Sequence, residues 1–264
     1  MLKDLDDLRK RLKGDLRFDS IHKILYSTDA SAYRQEPLAV FIPCEECEED
    51  LRTLLRWCKD KGTFIIPRAA GTSLAGQVVG NGIVVDVSKN LNRIIEINPE
   101  QHWVRVQPGV VLEELNRALK PYGLFFGPET STANRCCLGG MVGNNSCGLH
   151  SLVYGSVREH LLEATVILAD GSKAVLKQLS ETEFENKLLQ DDLEGKIYRH
   201  LKEVYSKPEI RKEIADSFPD KEVKRRNNGY ALDFLSPNDV PNLAKLYCGS
   251  EGTLAFATEL KLNL

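Results

Sequence analysis

The sequence lacks any run of about 20 apolar residues, the length that a transmembrane helix needs. Its first residues, 1–7, are charged and lack the apolar core of a secretory signal. The chain also has little excess charge: its formal net charge is −3, so nothing attracts it in general to nucleic acid or to an anionic membrane. We therefore predict a cytoplasmic protein with no nucleic-acid partner and no transmembrane segment.

Neither the cysteines nor the histidines have the spacing of a metal site or a disulfide framework. The seven cysteines are an odd number, which favours a reducing compartment. Cys44 and Cys47 form a Cys-x-x-Cys pair, but no second pair with zinc spacing accompanies it, so we interpret it as incidental. The five histidines are scattered along the chain. The sequence therefore predicts no metal site.

The composition is that of a globular protein, with 42% apolar and 28% charged residues among 264. Residues 38–43 and 63–67 have the character of short strands and flank an amphipathic helix at 48–61, which is typical of a parallel βαβ unit. Leucines at positions 2, 5, 8, 12 and 16 predict a helix near the N-terminus. The other predicted elements are strands at 82–87, 94–98, 102–107 and 254–262, helices at 111–122 and within 181–215, and a hairpin at 164–176. We predict an α+β fold, since the pattern is not a long βαβα series.

Three glycine-centred segments, residues 68–76, 138–148 and 249–254, lie beside strand-like runs. Glycine permits a positive φ angle and a close approach of the backbone to a ligand. Successive free N–H groups then form a concave anion site. Small hydroxyl side chains in these segments would add hydrogen-bond donors; they are Thr72, Ser73, Ser146 and Thr253. One such segment alone is typical of a tight turn, but three together indicate a pyrophosphate and a ring system held by main chain.

The first glycine segment differs from two common phosphate-binding motifs. It is neither a Gly-x-Gly-x-x-Gly sequence nor a Gly-x-x-x-x-Gly-Lys-Ser/Thr sequence. This difference argues against a Rossmann-type NAD site and against a nucleoside triphosphatase.

These segments carry a resemblance to a known family. Residues 67–76 resemble the pyrophosphate loop of the PCMH-type (vanillyl-alcohol-oxidase type) FAD-binding domain. Residues 127–129, 138–148 and 154–155 are similar to its flavin-ring segment, and residues 249–254 to its closing motif. The similarity covers about residues 35–264. It implies two α/β lobes, about residues 35–108 and 109–264, with FAD between them. Residues 1–34 are predicted from their own pattern to form a helix and a loop.

The resemblance also implies which residues hold the cofactor. Backbone amides of residues 69–73 would hold the pyrophosphate, residues 139–148 would line the isoalloxazine, and residues 251–254 would contact the flavin or the adenosine end. Thr72 stands where covalently linked relatives have a histidine, which implies non-covalent FAD. The cofactor-binding residues implied are Arg68, Ala69, Ala70, Gly71, Thr72, Ser73, Leu74, Pro128, Glu129, Gly139, Gly140, Gly143, Asn144, Ser146, Gly148, Gly155, Glu251, Gly252, Thr253 and Leu254.

Several reactive side chains lie in or near these segments without a settled role. A cysteinyl–flavin bond is conceivable for a cysteine of this region, but we interpret Cys136, Cys137 and Cys147 as small filler residues. His150 is either a base facing the flavin or, as we favour, a loop histidine bonded to backbone.

Two arginine positions leave alternatives open. Arg225 and Arg226 would bind a substrate carboxylate bidentately or form a solvated basic pair. Arg68 would neutralise phosphate or pair with a core acid. We assign no catalytic residue.

Within the family, one subgroup is most similar. Residues 26–31, 144–148 and 226–230 resemble FAD-linked 2-hydroxy-acid dehydrogenases, and among these the large proteins that fuse the FAD domain to an iron–sulfur region. The resemblance implies hydride transfer from a small D-2-hydroxy acid, of the lactate, glycolate or 2-hydroxyglutarate type, to FAD. Electrons would leave to a separate acceptor, an iron–sulfur region or subunit. In this family the substrate-binding and catalytic residues come largely from a C-terminal substrate domain, which these 264 residues do not include. We therefore expect the chain to bind FAD but to show weak or absent turnover.

Two other functions remain compatible with the same residues. One is a different flavoenzyme built on this FAD domain, such as a sugar-nucleotide reductase that uses NADPH. Only residues 26–31 and 226–230 argue against it. The other is a non-catalytic flavin-binding or electron-transfer module.

Overall fold

The computed structural model describes residues 2–220, 222–223, 229–235 and 240–264 and contains two sheets. The strands are β1 (Asp15–Arg17), β2 (Ala39–Ile42), β3 (Ile65–Arg68), β4 (Ile83–Asp86), β5 (Ile94–Asn98), β6 (Trp103–Val106), β7 (Leu161–Ile167), β8 (Lys173–Lys177) and β9 (Phe256–Asn263). The helices are α1 (Leu2–Arg9), α2 (Ser20–Leu25), α3 (Glu48–Lys61), α4 (Leu112–Leu119), α5 (Leu138–Asn144), α6 (Ser151–Tyr154), α7 (Val157–His160), α8 (Glu181–Leu189), α9 (Leu193–Tyr205), α10 (Pro208–Ser217) and α11 (Leu243–Tyr247). The predicted α+β class is confirmed.

The first sheet has the strand order β1-β2-β4-β3. Both β2 and β3 run parallel to β4, which lies between them, so the predicted βαβ unit is present with α3 as its crossover. Leu51, Leu54 and Trp57 place the apolar stripe of α3 in the core. The helix ends at Gly62, whose φ angle of 64° is the left-handed conformation that glycine favours.

The predicted N-terminal helix is shorter than the leucine spacing indicated. Helix α1 ends at Arg9, and Leu16 lies in β1, which pairs antiparallel with β2. A Cβ at Gly14 would lie 2.7 Å from the carbonyl oxygen of Ile42, so only glycine fits this approach. The Asp50 carboxylate accepts the Gly14 amide at 2.8 Å and fixes the turn between helix and strand.

The second sheet has the order β5-β6-β9-β7-β8, and all of its described pairings are antiparallel. β7 and β8 form the predicted hairpin, which turns at Gly171 with a φ angle of 86°. β9 is the central strand, although it comes last along the described chain. Buried side chains of α4, α5, α9 and α11 join those of the sheet in one apolar core.

The two sheets divide the chain earlier than the lobe boundary we expected at residue 108. β5 and β6 pair within the second sheet, so the change of sheet falls between Asp86 and Ile94. Residues of the N-terminal region belong to the first core, where Leu5, Leu8 and Leu16 are fully buried. We therefore propose a first lobe that includes the N-terminal region and ends before β5.

Side chains of the second sheet also join the first core. Ile167 at the end of β7 and Phe256 at the start of β9 pack in the same cluster as the buried face of α3. Arg52 of α3 donates from Nε to the carbonyl oxygen of Gly171 at 2.9 Å. None of the helices in the described ranges has the length and apolar character to cross a lipid bilayer.

Candidate cofactor site

An open cavity lies where the three glycine segments meet, with about 1230 Å³ of empty space that is partly open to solvent. Residues from both sheets line it. Those named from the sequence are Arg68, Ala69, Ala70, Gly71, Thr72, Ser73, Leu74, Gly139, Gly140, Gly143, Asn144, Ser146, Glu251 and Gly252. The remaining ones, which do not line this cavity, are Pro128, Glu129, Gly148, Gly155, Thr253 and Leu254.

The first segment leaves the carboxyl end of β3, the end of a parallel sheet where ligands commonly bind. Gly71 has a φ angle of 66°. Within the described residues, the amides of Gly71, Thr72 and Ser73 donate to no protein group. Successive unused N–H groups beside a cavity form the concave anion site that a pyrophosphate requires.

Arg68 stands at the start of this segment and lines the cavity. Its Nη1 donates to the carbonyl oxygen of Thr28 at 2.8 Å, and its guanidinium lies 5.2 Å from the ring centre of Tyr26. It forms no ion pair with any described carboxylate. Burial lowers the pKa of Arg68 and nearby acidic groups oppose this shift, but an arginine stays charged at neutral pH. Arg68 thus lies at the wall of the cavity and also near the acidic side chains of Asp86 and Asp29, and its role toward phosphate stays a prediction.

The second segment folds as helix α5, which the glycine-rich sequence did not predict. Leu138, Met141 and Val142 bury one face of this helix. Its glycines face the opposite way: a Cβ at Gly140 would lie 3.1 Å from the Cβ of Ala69 in the first segment. Because Gly140 has no side chain, the second glycine segment can lie close to the first one at the wall of the cavity.

The third segment is fixed against the last turn of α5. Gly249 donates its amide to the carbonyl oxygen of Val142 at 2.8 Å, and Glu251 donates to that of Gly143 at 2.9 Å. Glu251 has a φ angle of 53°, a left-handed conformation that is uncommon outside glycine. These bonds place Glu251 at the edge of the cavity.

Gln77 also lines the cavity, although the sequence did not identify it. Its Oε1 is buried and has no hydrogen-bond partner among the described residues, whereas its Nε2 lies 3.5 Å from the Glu251 carboxylate. A buried acceptor without a donor is unfavourable, so this oxygen fits a ligand that carries hydroxyl or N–H groups. FAD has both. The unused amides, the arginine and this orphaned oxygen together fit FAD.

Pro67, Met141, Cys136 and Cys137, which the sequence placed in or beside the glycine segments, also line the cavity. Other lining residues were missed, because their types carry no phosphate- or flavin-binding signal. They are Val78, Val87, Pro108, Thr130, Ser131, Thr132, Tyr247, Ala255, Phe256 and Ala257. Burial raises the pKa of the Cys137 thiol to about 12, so it is protonated and weakly nucleophilic at neutral pH. This supports its interpretation as a filler residue.

The remaining reactive candidates lie elsewhere. His150 does not line the cavity; its Nδ1 is 3.1 Å from the Glu129 carboxylate, and its side chain is 64% exposed. Arg225 and Arg226 lie outside the described residues. Within the described ranges, no group of three or more His, Cys, Asp and Glu side chains could hold a metal ion.

Comparison with known proteins identifies the family of the chain. Residues 37–176 match the family described as "FAD binding domain". The chain belongs to this FAD-binding family. Membership establishes FAD as the cofactor and confirms the family resemblance noted in the sequence.

Relatives with this FAD-binding domain include named dehydrogenases and oxidases. The chain is 37% identical to D-2-hydroxyglutarate dehydrogenase of Pantoea ananatis, over 95% of this chain and 24% of that protein. It is 37% identical to the Escherichia coli protein of the same name, over 95% of this chain and 25% of that one. Glycolate oxidase subunit GlcD of Bacillus subtilis is 33% identical over 64% of this chain and 36% of its own length. The chain thus spans about a quarter of the length of its dehydrogenase relatives.

Solved structures share the fold of this FAD-binding domain. An alkyldihydroxyacetonephosphate synthase matches with a TM-score of 0.67 over 100% of this chain and 40% of its own. Sequence identity is only 15%, so this similarity concerns the fold alone.

Acid precipitation is expected to release all bound flavin from this FAD-binding domain. Thr72 offers no ring nitrogen for a covalent bond, and the Cys137 thiol is protonated. The measurement compares absorbance at about 450 nm in the supernatant and in the washed, redissolved pellet, and identifies the released species by mass. Yellow colour that stays with the pellet would contradict non-covalent binding.

Proposed function

We propose that this chain is the FAD-binding part of a dehydrogenase that oxidises small D-2-hydroxy acids, with D-2-hydroxyglutarate as the first candidate substrate. The observation that carries the proposal is the similarity to D-2-hydroxyglutarate dehydrogenases, which extends over 95% of the chain at 37% identity. Similarity to glycolate oxidase and D-lactate dehydrogenase proteins supports the wider substrate class.

The residues of this chain would bind and orient FAD. The amides of Gly71, Thr72 and Ser73, with Arg68, would hold the pyrophosphate. The glycines of α5 would let the ring system lie against main chain, and the Gln77 oxygen would accept a hydrogen bond from the cofactor. When bound, FAD supplies the two-electron acceptor for oxidation of an alcohol carbon. Preorganised main-chain donors would favour negative charge on the reduced cofactor.

Substrate binding and proton removal are assigned to no residue of this chain. We propose that they come from a separate substrate domain, and that electrons pass on to a separate acceptor, an iron–sulfur region or subunit. We also infer a cytoplasmic location. The odd number of cysteines, without the spacing of a disulfide framework, supports a reducing compartment.

Anaerobic titration of the FAD-loaded protein tests the proposed activity. The chain would be studied alone and fused to the remaining part of the E. coli relative. We expect D-2-hydroxyglutarate to bleach the flavin band at about 450 nm in the fusion, and to do so weakly or not at all in the chain alone. The L-enantiomer is the matched control, since it has the same charge and composition.

Other additives separate the remaining functions. Bleaching by NADPH, but not by any 2-hydroxy acid, would favour a reductase and contradict the proposal. A fusion that holds FAD but stays oxidised with D-2-hydroxyglutarate, D-lactate and glycolate would favour a non-catalytic flavin module.

A further inference from the structure

A segment that precedes residues 37–176, the range matched by the family, contacts the first glycine segment, residues 68–76, which we also call the first glycine loop. We call residues 26–33 the N-terminal brace. Asp29 Oδ2 accepts a hydrogen bond from Ser73 Oγ at 2.6 Å. A Cβ at Gly76 would lie 2.8 Å from the ring of Tyr33, so this ring closes on the end of the loop. With the bond from Arg68 to Thr28, the brace contacts the beginning, middle and end of the loop.

The N-terminal brace is itself held in place by the fold. The Tyr26 hydroxyl donates to Asp86 Oδ2 at 2.5 Å, which ties the brace to the end of β4. Gln35 donates its amide to the Ser27 carbonyl at 2.9 Å, and Ser27 is fully buried. Asp29 Oδ1 accepts the Ser31 amide at 2.9 Å, so the aspartate is oriented within the brace. The loop is therefore attached to a fixed support.

The hydroxyl group of Ser73 is hydrogen-bonded to the N-terminal brace. It donates its proton to Asp29 and accepts the Gln77 amide at 3.3 Å. It is therefore not a donor to an anion, contrary to the role that its residue type suggested. The Ser73 amide, in contrast, donates to no described protein group. Ser73 thus links the brace through its side chain and presents its main chain to the cavity.

We propose that Asp29 is a positioning residue of the FAD site, acting through Ser73 to hold the first glycine loop in its binding conformation before FAD arrives. The family match begins at residue 37, so this function belongs to a segment outside the matched domain. A loop that is fixed in advance loses less conformational entropy on binding, and affinity rises accordingly. The proposal concerns FAD affinity and is independent of the substrate proposed above.

Affinity and stability measured on the same variants test this role. Asp29→Ala and Ser73→Ala should each raise the Kd for FAD roughly 10- to 100-fold, because FAD binding must then supply the entropic cost of ordering the loop. Titration of the apoprotein with FAD, followed by flavin fluorescence, gives the Kd. The melting temperature of the apoprotein should change little. Ser73→Thr keeps the hydroxyl and should restore most of the affinity.

The double variant and one control make the test specific. Asp29→Ala combined with Ser73→Ala should weaken binding no more than either alone, because both remove the same hydrogen bond. Asp19→Ala is the control: Asp19 caps α2 through the His22 amide and touches no part of the loop, so the Kd should stay unchanged.

Three results would overturn the positioning role. The first is an unchanged Kd in Asp29→Ala while the wild-type chain binds FAD, which leaves the cofactor assignment intact. The second is a double variant whose loss is the sum of the single losses. The third is a lower apoprotein melting temperature in Asp29→Ala and Ser73→Ala that is large enough to explain the weaker binding and that Ser73→Thr shares. That result would indicate that the residues only stabilise the fold. A wild-type chain that takes up no FAD would overturn both the role and the cofactor site.

Discussion

Gly71→Val is expected to abolish retention of FAD, with a Kd raised at least about 100-fold, or about 2.7 kcal/mol. Gly71 has a φ angle of 66°, which a β-branched residue strongly disfavours. A Cβ at this position would also lie 2.5 Å from Nη2 of Arg68, so the guanidinium and the loop amides cannot both keep their places. The ratio of absorbance at about 450 nm to that at 280 nm in the purified protein measures the loss.

A second glycine separates loss of the site from strain alone. Gly123 has a similar φ angle of 68°, but a Cβ there would meet no heavy atom of the described part of the chain within 4 Å. Gly123→Val should lose some stability and keep its FAD, because Gly123 does not line the cavity. Gly140→Val should lose FAD, since its added carbons would enter the contact with Ala69. Purified Gly71→Val or Gly140→Val protein with normal yellow colour would refute the site.

Arg158→Met is expected to lower the free energy of unfolding by about 3 kcal/mol or more, because it removes charge-assisted hydrogen bonds worth about 1.5–3 kcal/mol each. Arg158 is 3% exposed. Its Nε and Nη2 donate to the Cys248 carbonyl at 3.2 and 2.7 Å, and its guanidinium lies 5.4 Å from the ring centre of Phe234. Urea unfolding with a fitted slope gives the free energy.

The same substitution should also weaken FAD binding. Cys248 precedes Gly249, whose amide ties the third glycine segment to α5, so loss of Arg158 loosens this side of the cavity. Arg117→Met is the matched control: the Arg117 side chain is 74% exposed and, among the described residues, pairs only with Glu113 of its own helix, so the expected change is below about 1 kcal/mol. Equal stability of the two variants would contradict a bracing role for Arg158.

The sequence predicted local elements better than their pairing. The bounds of α3 and the β7–β8 hairpin followed from periodicity and from turn residues, which are local signals. The length of α1 did not, because the turn between this helix and β1 depends on contacts of Gly14 with Asp50 and Ile42, which are distant in sequence. The split into two sheets depends on β6 pairing with β9, and no local pattern encodes such a distant partner.

The candidate site divides in the same way. From residue type alone the sequence predicted that the three glycine segments belong to one site, and residues of all three line one cavity. Gln77 was missed because its importance lies in an oxygen left without a donor, which only the folded chain reveals. Asp29 was missed for a related reason: residues 26–31 supported a family subgroup, but the partner of Asp29 is 44 residues further along the chain.

The central position of β9 delays completion of the second sheet. Strands β5, β6, β7 and β8 are translated before β9. Because β6 and β7 do not pair with each other, the sheet is complete only when Phe256–Asn263 inserts between them. Until then each half of the sheet presents an open edge, which is a template for pairing with other chains. We therefore expect nascent or C-terminally shortened forms of this domain to depend on chaperones and to aggregate. The candidate cofactor cavity, whose wall includes Phe256, is completed at the same late stage.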